Sequence, residues 1–332
     1  MAKNSNLAAA RKAQNNEFYT QLADVEKELI YYTEQFCGKV VLCNCDDPAQ
    51  SNFWRYFHLN FTQMGLRGLV STHYDAEEPT YKLEYYGGDD ANVEAGIRTE
   101  LTGNGDFRSP ECYDLLIQCN IVVTNPPFSL AREYIPLLVN SGKQFLIINN
   151  LNSVTYKEIF PFFRDNKMWV GYTSPKRFLC PDGTLKAFGN VLWFTNIDIE
   201  KRHEPLPLSR RFSDNPEMYP RFDNYDAINV KKAVDIPIDY PGVMGVPISF
   251  LTRYCPEQFE IVGITKTPIG SHLRTKIYDP QIQHRAAGCT KVTKLNDAAA
   301  ILVPGVPEKY PFYEVDGRFY TTSYPRILVR RK

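Results

Sequence analysis

The segment Ile121-Val-Val-Thr-Asn125-Pro126-Pro127-Phe128-Ser129 decides how the chain is read. Four consecutive apolar or β-branched residues match a strand buried on both faces, which needs no polar side. Asn-Pro-Pro ends it, because each proline fixes φ and has no N–H to give to a ladder. Ser129 is placed to cap a helix running toward Ser141, with Pro136 as a kink. Strand, stiff loop and helix follow one another, with carbonyls turned outward where the strand stops.

The same alternation extends outward. Upstream, Asp24 to Phe36 puts Val25, Leu29, Tyr32 and Phe36 on one helical face, and Gly38 stops it. Lys39-Val-Val-Leu-Cys43 reads as a buried strand, Asn44 to Ala49 as a turn, and about Ser51 to Met64 as a helix ended by Gly65. Leu69-Val70 opens a strand toward Tyr74, and Cys112 to Cys119 is a short helix. Downstream, Phe145 to Ile148, Met168 to Tyr172 and Asn190 to Thr195 read as strands and Thr155 to Asp165 as helix. Alternating strands and helices predict an α/β fold, a mostly parallel sheet covered on both faces. Ligands in such folds lie at the carboxyl ends of the strands. Beyond about Asn196 prolines recur and helical periodicity fades, which predicts a separate loop-rich β-containing region over roughly 200–332. Residues 1–16 are polar and read as a flexible basic arm.

The residue types at the strand ends suggest a chemistry. An adenine amine is a weak nucleophile, because its lone pair is delocalised into the ring. The Asn125 side-chain oxygen and the Pro126 carbonyl are suited to accept both amine hydrogens and aim the lone pair at an electrophilic methyl. Pro127 stiffens that loop, and Phe128 offers a flat face to a base flipped from a duplex. After the first strand, Asn44-Cys-Asp46-Asp47-Pro48 carries carboxylates but no glycine. Carboxylates suit the sulfonium and amino group of S-adenosylmethionine; helix capping is the competing use of Asp46 and Asp47. Asp75, ending the next strand, is suited to ribose hydroxyls, with Glu77 and Glu78 as rivals. Gly105-Asp106-Phe107 offers an acceptor and a ring for a second adenine. The missing G-x-G-x-x-G and P-loop patterns weigh against a dehydrogenase and an NTPase.

Composition bounds the rest. Of 332 residues 43% are apolar, and 38 basic against 38 acidic residues give net zero, which argues against a histone-like polyanion binder. The charge is uneven: Asp75 to Asp114 holds eleven acids and three bases, Lys266 to Lys294 six bases and one acid. Lys266, Arg274, Lys276, Arg285, Lys291 and Lys294 are therefore candidates for a DNA-backbone surface. The eight cysteines form no C-x-x-C pair, so no metal site is expected and the thiols read as reduced, in a cytoplasmic protein. No secretory pattern or membrane-length apolar run is present in the sequence.

The chain resembles the EcoRI-type adenine-N6 DNA methyltransferases over nearly its whole length. Asn16-Glu-Phe18-Tyr19-Thr20 looks like the family's cofactor motif ahead of the first strand, and Cys43-Asn-Cys-Asp-Asp-Pro48 with Ser51-Asn-Phe53 like its next one. Gly105-Asp-Phe107 and Asn125-Pro-Pro-Phe128 stand where the adenine-contacting acid and the catalytic motif are expected. Tyr156 to Phe160, Gly189 to Thr195, Tyr225 to Val230 and Asp239 to Pro247 are similar to further family segments.

The resemblance implies a Rossmann-like S-adenosylmethionine-dependent fold with a mostly parallel seven-stranded sheet. Residues 17–199 would bind S-adenosylmethionine and catalyse, and 200–332 would recognise the target. Phe18, Tyr19, Thr20, Asn44, Asp46, Asp47, Pro48, Asp75, Asp106 and Phe107 would serve the cofactor. The implied substrate is an adenine in double-stranded DNA, with GAATTC as the suggested site. The enzyme would act as a monomer, alone or beside a cognate restriction endonuclease, with no membrane. RNA adenine or a protein glutamine as substrate, and an inactive DNA-binding relative, are the competing readings.

Overall fold

Strand Ile121–Thr124 lies inside an eight-stranded sheet in a computed structural model that describes residues 19–76, 80–180 and 183–332. The chain divides into two compact units. The first runs to Ser153 and includes Lys167–Asp198; the second combines Val154–Asn166 with Ile199–Lys332.

The strands of the first unit are β1 (Tyr19–Thr20), β2 (Val40–Cys43), β3 (Gly68–Thr72), β4 (Tyr81–Tyr85), β5 (Ile97–Glu100), β6 (Ile121–Thr124), β7 (Gln144–Asn150), β8 (Trp169–Val170), β9 (Arg177–Leu179), β10 (Leu185–Ala187) and β11 (Val191–Thr195). The large sheet has the order β5-β4-β3-β2-β6-β7-β11-β8. Only β3, β2, β6 and β7 pair in parallel. The expected seven-stranded, mostly parallel sheet is thus an eight-stranded mixed one. Thr72 and Tyr81 are too close in sequence for a crossover helix, so β4 pairs antiparallel with β3 and carries β5 with it. On the other edge β11 is antiparallel to both β7 and β8.

The four parallel strands each carry an apolar stretch at their centre. β3 and β6 are buried throughout, as expected for a sheet covered on both faces. Helix α1 (Leu22–Leu29) precedes β2, and α2 (Asn52–Leu59), α3 (Pro110–Gln118) and α4 (Ala131–Ser141) lie in the connections between the parallel strands. The helix expected over Asp24 to Phe36 is interrupted by the 3-10 turn Ile30–Tyr32, and other predicted boundaries shift. Helix α2 stops at Leu59 rather than Met64. Ser129 lies inside a 3-10 turn, Phe128–Leu130, so Leu130 rather than Ser129 stands at the N-cap position of α4. The double proline delays the helix, since its stiff φ values carry the chain through one tight turn first. A small antiparallel sheet, β1-β9-β10, pairs Thr20 with Phe178.

In the second unit β12 (Ile228–Asn229), β13 (Met244–Pro247), β14 (Phe259–Ile264), β15 (Ile282–Arg285), β16 (Gly288–Lys291), β17 (Ala300–Val303), β18 (Phe312–Val315), β19 (Arg318–Thr322) and β20 (Arg326–Arg331) form two sheets. Their orders are β12-β13-β20-β14 and β16-β15-β18-β19-β17. The β18–β19 hairpin turns on Asp316-Gly317, both at positive φ, the Asp-Gly signature of a tight two-residue loop. Tyr278, Leu295, Ala300, Tyr313, Val315 and Tyr320 pack into one apolar cluster of this unit. The segment Thr155 to Asp165, read as one helix, holds only the short helix Phe160–Arg164.

Candidate active site

Parallel pairing of Val41 with Ile121 and Leu42 with Val122 sends the loops after β2 and β6 off the sheet side by side, at the carboxyl ends. Asp46 joins them. Its Oδ2 accepts from the Thr124 hydroxyl and, at 3.2 Å, from the Asn125 backbone N–H. Its Oδ1 accepts from Ser51 Oγ at 3.1 Å. The side chain is buried, and burial lifts its pKa to about 6 despite the opposing hydrogen bonds from Thr124, Asn125 and Ser51. Asp46 therefore braces the Asn-Pro-Pro-Phe loop, a use the sequence reading did not assign to it.

Serines hold the brace from behind. Ser51 Oγ accepts from the N–H groups of Phe53 and Trp54, so Ser51, not Asp46 or Asp47, caps α2. Ser71 Oγ, at the end of β3, contacts the carbonyls of Cys43 and Asp46 at 3.1 and 2.5 Å. Asp47 folds back on its own turn, its Oδ1 accepting from Ala49 N–H and from the Tyr81 hydroxyl at 3.0 and 3.2 Å. Pro48, next in the chain, is buried.

Beside this loop, Tyr134 on α4 donates its hydroxyl to Asn44 Oδ1 at 2.5 Å. Phe107 meets the Tyr134 ring edge-on, centroids 4.9 Å apart. Asn44 Nδ2, Thr20 Oγ1 and Thr72 Oγ1 are buried with no hydrogen-bond partner among the described residues. Thr20 is tied to α2 through its carbonyl, which accepts from Asn52 Nδ2 at 2.7 Å. Gly105 has a positive φ, and a Cβ there would collide with the His73 carbonyl, so only glycine lets this turn lie against the end of β3. Asp75 N–H donates to the Asn104 carbonyl at 3.0 Å, which joins the two candidate stretches. Asp106 is held by Arg108, whose Nη2 lies 2.6 Å from its Oδ2 and whose Nε lies 2.9 Å from its Oδ1. These bonds, with the Arg108 charge, keep its carboxyl below the ordinary range.

The catalytic candidates stand together. Pro126 is buried, and Pro127 accepts from Leu130 N–H at 2.9 Å. Phe128 is half-buried between Phe178 and Phe188, both edge-on at 6.4 and 6.5 Å. Thr20 and Tyr19 reach this region through β9, since Thr20 pairs with Phe178 and Tyr19 with Leu179. Phe18 lies outside the described residues.

The basic candidates do not form one uncommitted surface. Lys266 donates to Thr155 Oγ1 at 2.8 Å, Arg274 to the Asn296 carbonyl at 2.6 Å, and Arg285 to Gln283 Oε1 at 2.7 Å. Lys276 pairs with Asp223 at 2.7 Å. Lys291 and Lys294 are exposed. A count of charges along the sequence cannot see that Asp223, 53 positions away, neutralises Lys276.

Sequence reasoning also passed over Thr124, Ser71, Tyr134, Phe178 and Phe188, and it placed Ser51 in a cofactor motif rather than behind Asp46. Thr124 had a signal, a hydroxyl inside an otherwise apolar strand. The others depend on pairing across the fold.

The family model described as "Adenine-specific methyltransferase EcoRI" matches residues 6–332. Type II methyltransferase M.EcoRI of Escherichia coli is 44% identical over 300 residues, covering 80% of this chain and 90% of the relative. Type II methyltransferase M.MpnI of Mycoplasma pneumoniae is 39% identical over 290 residues, 81% of this chain and 89% of the relative. Type II methyltransferase M.MgeORF184P of Mycoplasma genitalium is 38% identical over 278 residues, 78% and 86%. No solved structure matches the chain.

Proposed function

The chain belongs to the EcoRI family of adenine-specific methyltransferases, and from that premise we propose that its 125–128 loop directs a methyl group from S-adenosylmethionine to N6 of an adenine flipped out of duplex DNA. The observation that carries this reading is the Asp46 brace, which fixes Asn125 beside the loop after β2.

The cofactor's chemical contribution is a methyl group on a positively charged sulfur. The residues around the β2 loop fit such a molecule. Asn44 Nδ2 and the Thr20 and Thr72 hydroxyls are buried polar atoms with unmet hydrogen bonds, suited to a carboxylate or ribose. Asp47 and Asp75 are half-buried acids suited to an ammonium or to ribose hydroxyls. Phe107, with Asp106 at its side, suits an adenine ring. In this account Asp46 is not a ligand; it holds the loop.

Toward the target base, the Asn125 side-chain oxygen and the Pro126 carbonyl accept the two N6 hydrogens and localise the nitrogen lone pair. No strong base is needed before attack, because positive charge develops on nitrogen next to fixed acceptors. Phe128 stacks on the extruded base, and Phe178 and Phe188 keep its ring from turning away. Residues 17–199 carry the reaction and 200–332 the recognition of duplex DNA. The enzyme acts as a monomer in the cytoplasm, as the modification partner of a restriction endonuclease or alone.

Sequencing of modified bases in DNA from a host expressing the chain tests this. N6-methyladenine at one short recurrent motif is expected, with GAATTC as the first motif to inspect. Methylation confined to RNA or to protein would contradict it.

A further inference from the structure

In the second unit, pairing of β15 with β16 sets His284 opposite Cys289, and pairing of β15 with β18 sets His284 opposite Phe312. Side chains alternate along a strand, so Glu314 shares the face of Phe312. Cys289 Sγ lies 3.1 Å from His284 Nδ1. On the far side of the ring, His284 Nε2 lies 2.8 Å from Glu314 Oε2. The imidazole stacks on Phe312 at 4.5 Å and 9°, which fixes its plane. A carboxylate only accepts, so Nε2 carries the proton and Nδ1 is left as the acceptor facing the thiol.

Thiol, imidazole and carboxylate in that order form an activating relay: the ring takes the thiol proton and the carboxylate stabilises the resulting cation. Cys289 is also exposed. Cys255, the other cysteine of this unit, shows the opposite arrangement. It is buried, its thiol lies 3.2 Å from the Glu257 carboxylate, and burial with that contact pushes its pKa up.

We propose that Cys289 is a nucleophilic modification site that reacts with hydroperoxides and with soft alkylating electrophiles. With hydrogen peroxide, the thiol proton passes to His284 Nδ1 and the sulfur attacks one oxygen. The S–O bond forms as the O–O bond breaks. Sulfur is oxidised to a sulfenic acid, and the departing hydroxide takes the proton from His284 and leaves as water. With iodoacetamide the S–C bond forms, iodide leaves, and the proton passes through His284 to solvent. Cys255 is buried, so the sulfenic acid has no exposed thiol in its own unit with which to condense.

The test uses the native full-length chain, limiting iodoacetamide near neutral pH, and mass spectrometry resolved by peptide. Cys37, also exposed, is the internal reference. Cys289 should react about tenfold or more faster than Cys37 in the wild type, and within about twofold of it in His284→Gln. Glu314→Gln, which keeps a hydrogen-bond acceptor but removes the charge, should retain only part of the lead. Dimedone trapping after peroxide treatment should give the same order. Equal wild-type rates at Cys289 and Cys37, or a lead that survives His284→Gln intact, would overturn the proposal.

Discussion

Asp46 Oδ2 accepts the backbone N–H of Asn125 at 3.2 Å across two adjacent strand ends. The loop that follows β2 and the loop that follows β6 are thereby one construction. An ionised carboxylate can serve the Thr124, Asn125 and Ser51 donors at once; an amide in its place would turn a donor toward donors. Asp46→Asn should lower kcat by about 5- to 100-fold, equivalent to roughly 1–3 kcal/mol for a buried unmatched polar group. Affinity for S-adenosylmethionine should stay within about threefold. Single-turnover kinetics with equilibrium cofactor titration check this; a variant that loses cofactor affinity and keeps kcat would make Asp46 a ligand.

Protonation of the same carboxyl gives a pH signature. Its pKa in the folded chain is about 6, against ~3.9 for an unperturbed aspartate. The native state then binds more protons than the unfolded chain between about pH 4 and 6, so this group's contribution to stability is lost as pH rises through that window, by roughly 3 kcal/mol. The brace works in the ionised form. Activity should therefore fall as pH drops through about 6 while stability does not, and Asp46→Asn should remove both dependences. Parallel profiles of kcat and urea midpoint, wild type against variant, measure the two signs separately.

Ser51 has two tasks, as cap of α2 and as donor to Asp46. Ser51→Ala should destabilise the chain by about 1–2 kcal/mol, and Ser51→Thr should restore most of it. Denaturant midpoints decide; an unchanged midpoint in Ser51→Ala would remove the cap from the account.

Phe128 is edge-packed rather than stacked by its neighbours, which is the basis for assigning its face to a base. Phe128→Ala should cost about tenfold or more in kcat, and Phe128→Tyr little, since stacking on a base contributes about 1–3 kcal/mol. With 2-aminopurine at the target position, fluorescence should rise on binding to the wild type and less with the alanine variant. An equal rise in both would assign base stacking elsewhere.

Among the exposed lysines, Lys276 is paired with Asp223, whereas Lys291 and Lys294 are candidates for the DNA backbone. The pair Lys291→Ala with Lys294→Ala should weaken binding to all duplexes and reduce the salt dependence by up to about two charges. Lys276→Ala should instead disturb the contact with Asp223. Binding isotherms at several salt concentrations check this, and an unchanged slope in the double variant would remove these lysines from the DNA surface.

What the sequence made legible follows from where the information sits. The parallel strands β2, β3, β6 and β7 were readable because burial on both faces leaves an apolar run. β5 was not, because Ile97–Glu100 is exposed throughout and carries no pattern. Ser129 had the right type for a cap and the wrong backbone, since two prolines upstream set the turn. At the candidate site, Asn125 to Phe128 stand out in the sequence because they are contiguous. The partnership of Asp46 with Thr124 spans 78 positions and rests on β2 and β6 being neighbours, which no local pattern records. For the basic residues, composition gave the charges but not their partners.

In the proposed reaction Asn125, held by Asp46, presents an acceptor to the target amine. Single-turnover methylation of duplex DNA by Asn125→Ala, with cofactor binding measured on the same preparation, tests it most directly. The variant's rate should lie at least about 100-fold below wild type with cofactor affinity nearly unchanged. Methyl transfer by that variant at the wild-type rate would contradict it.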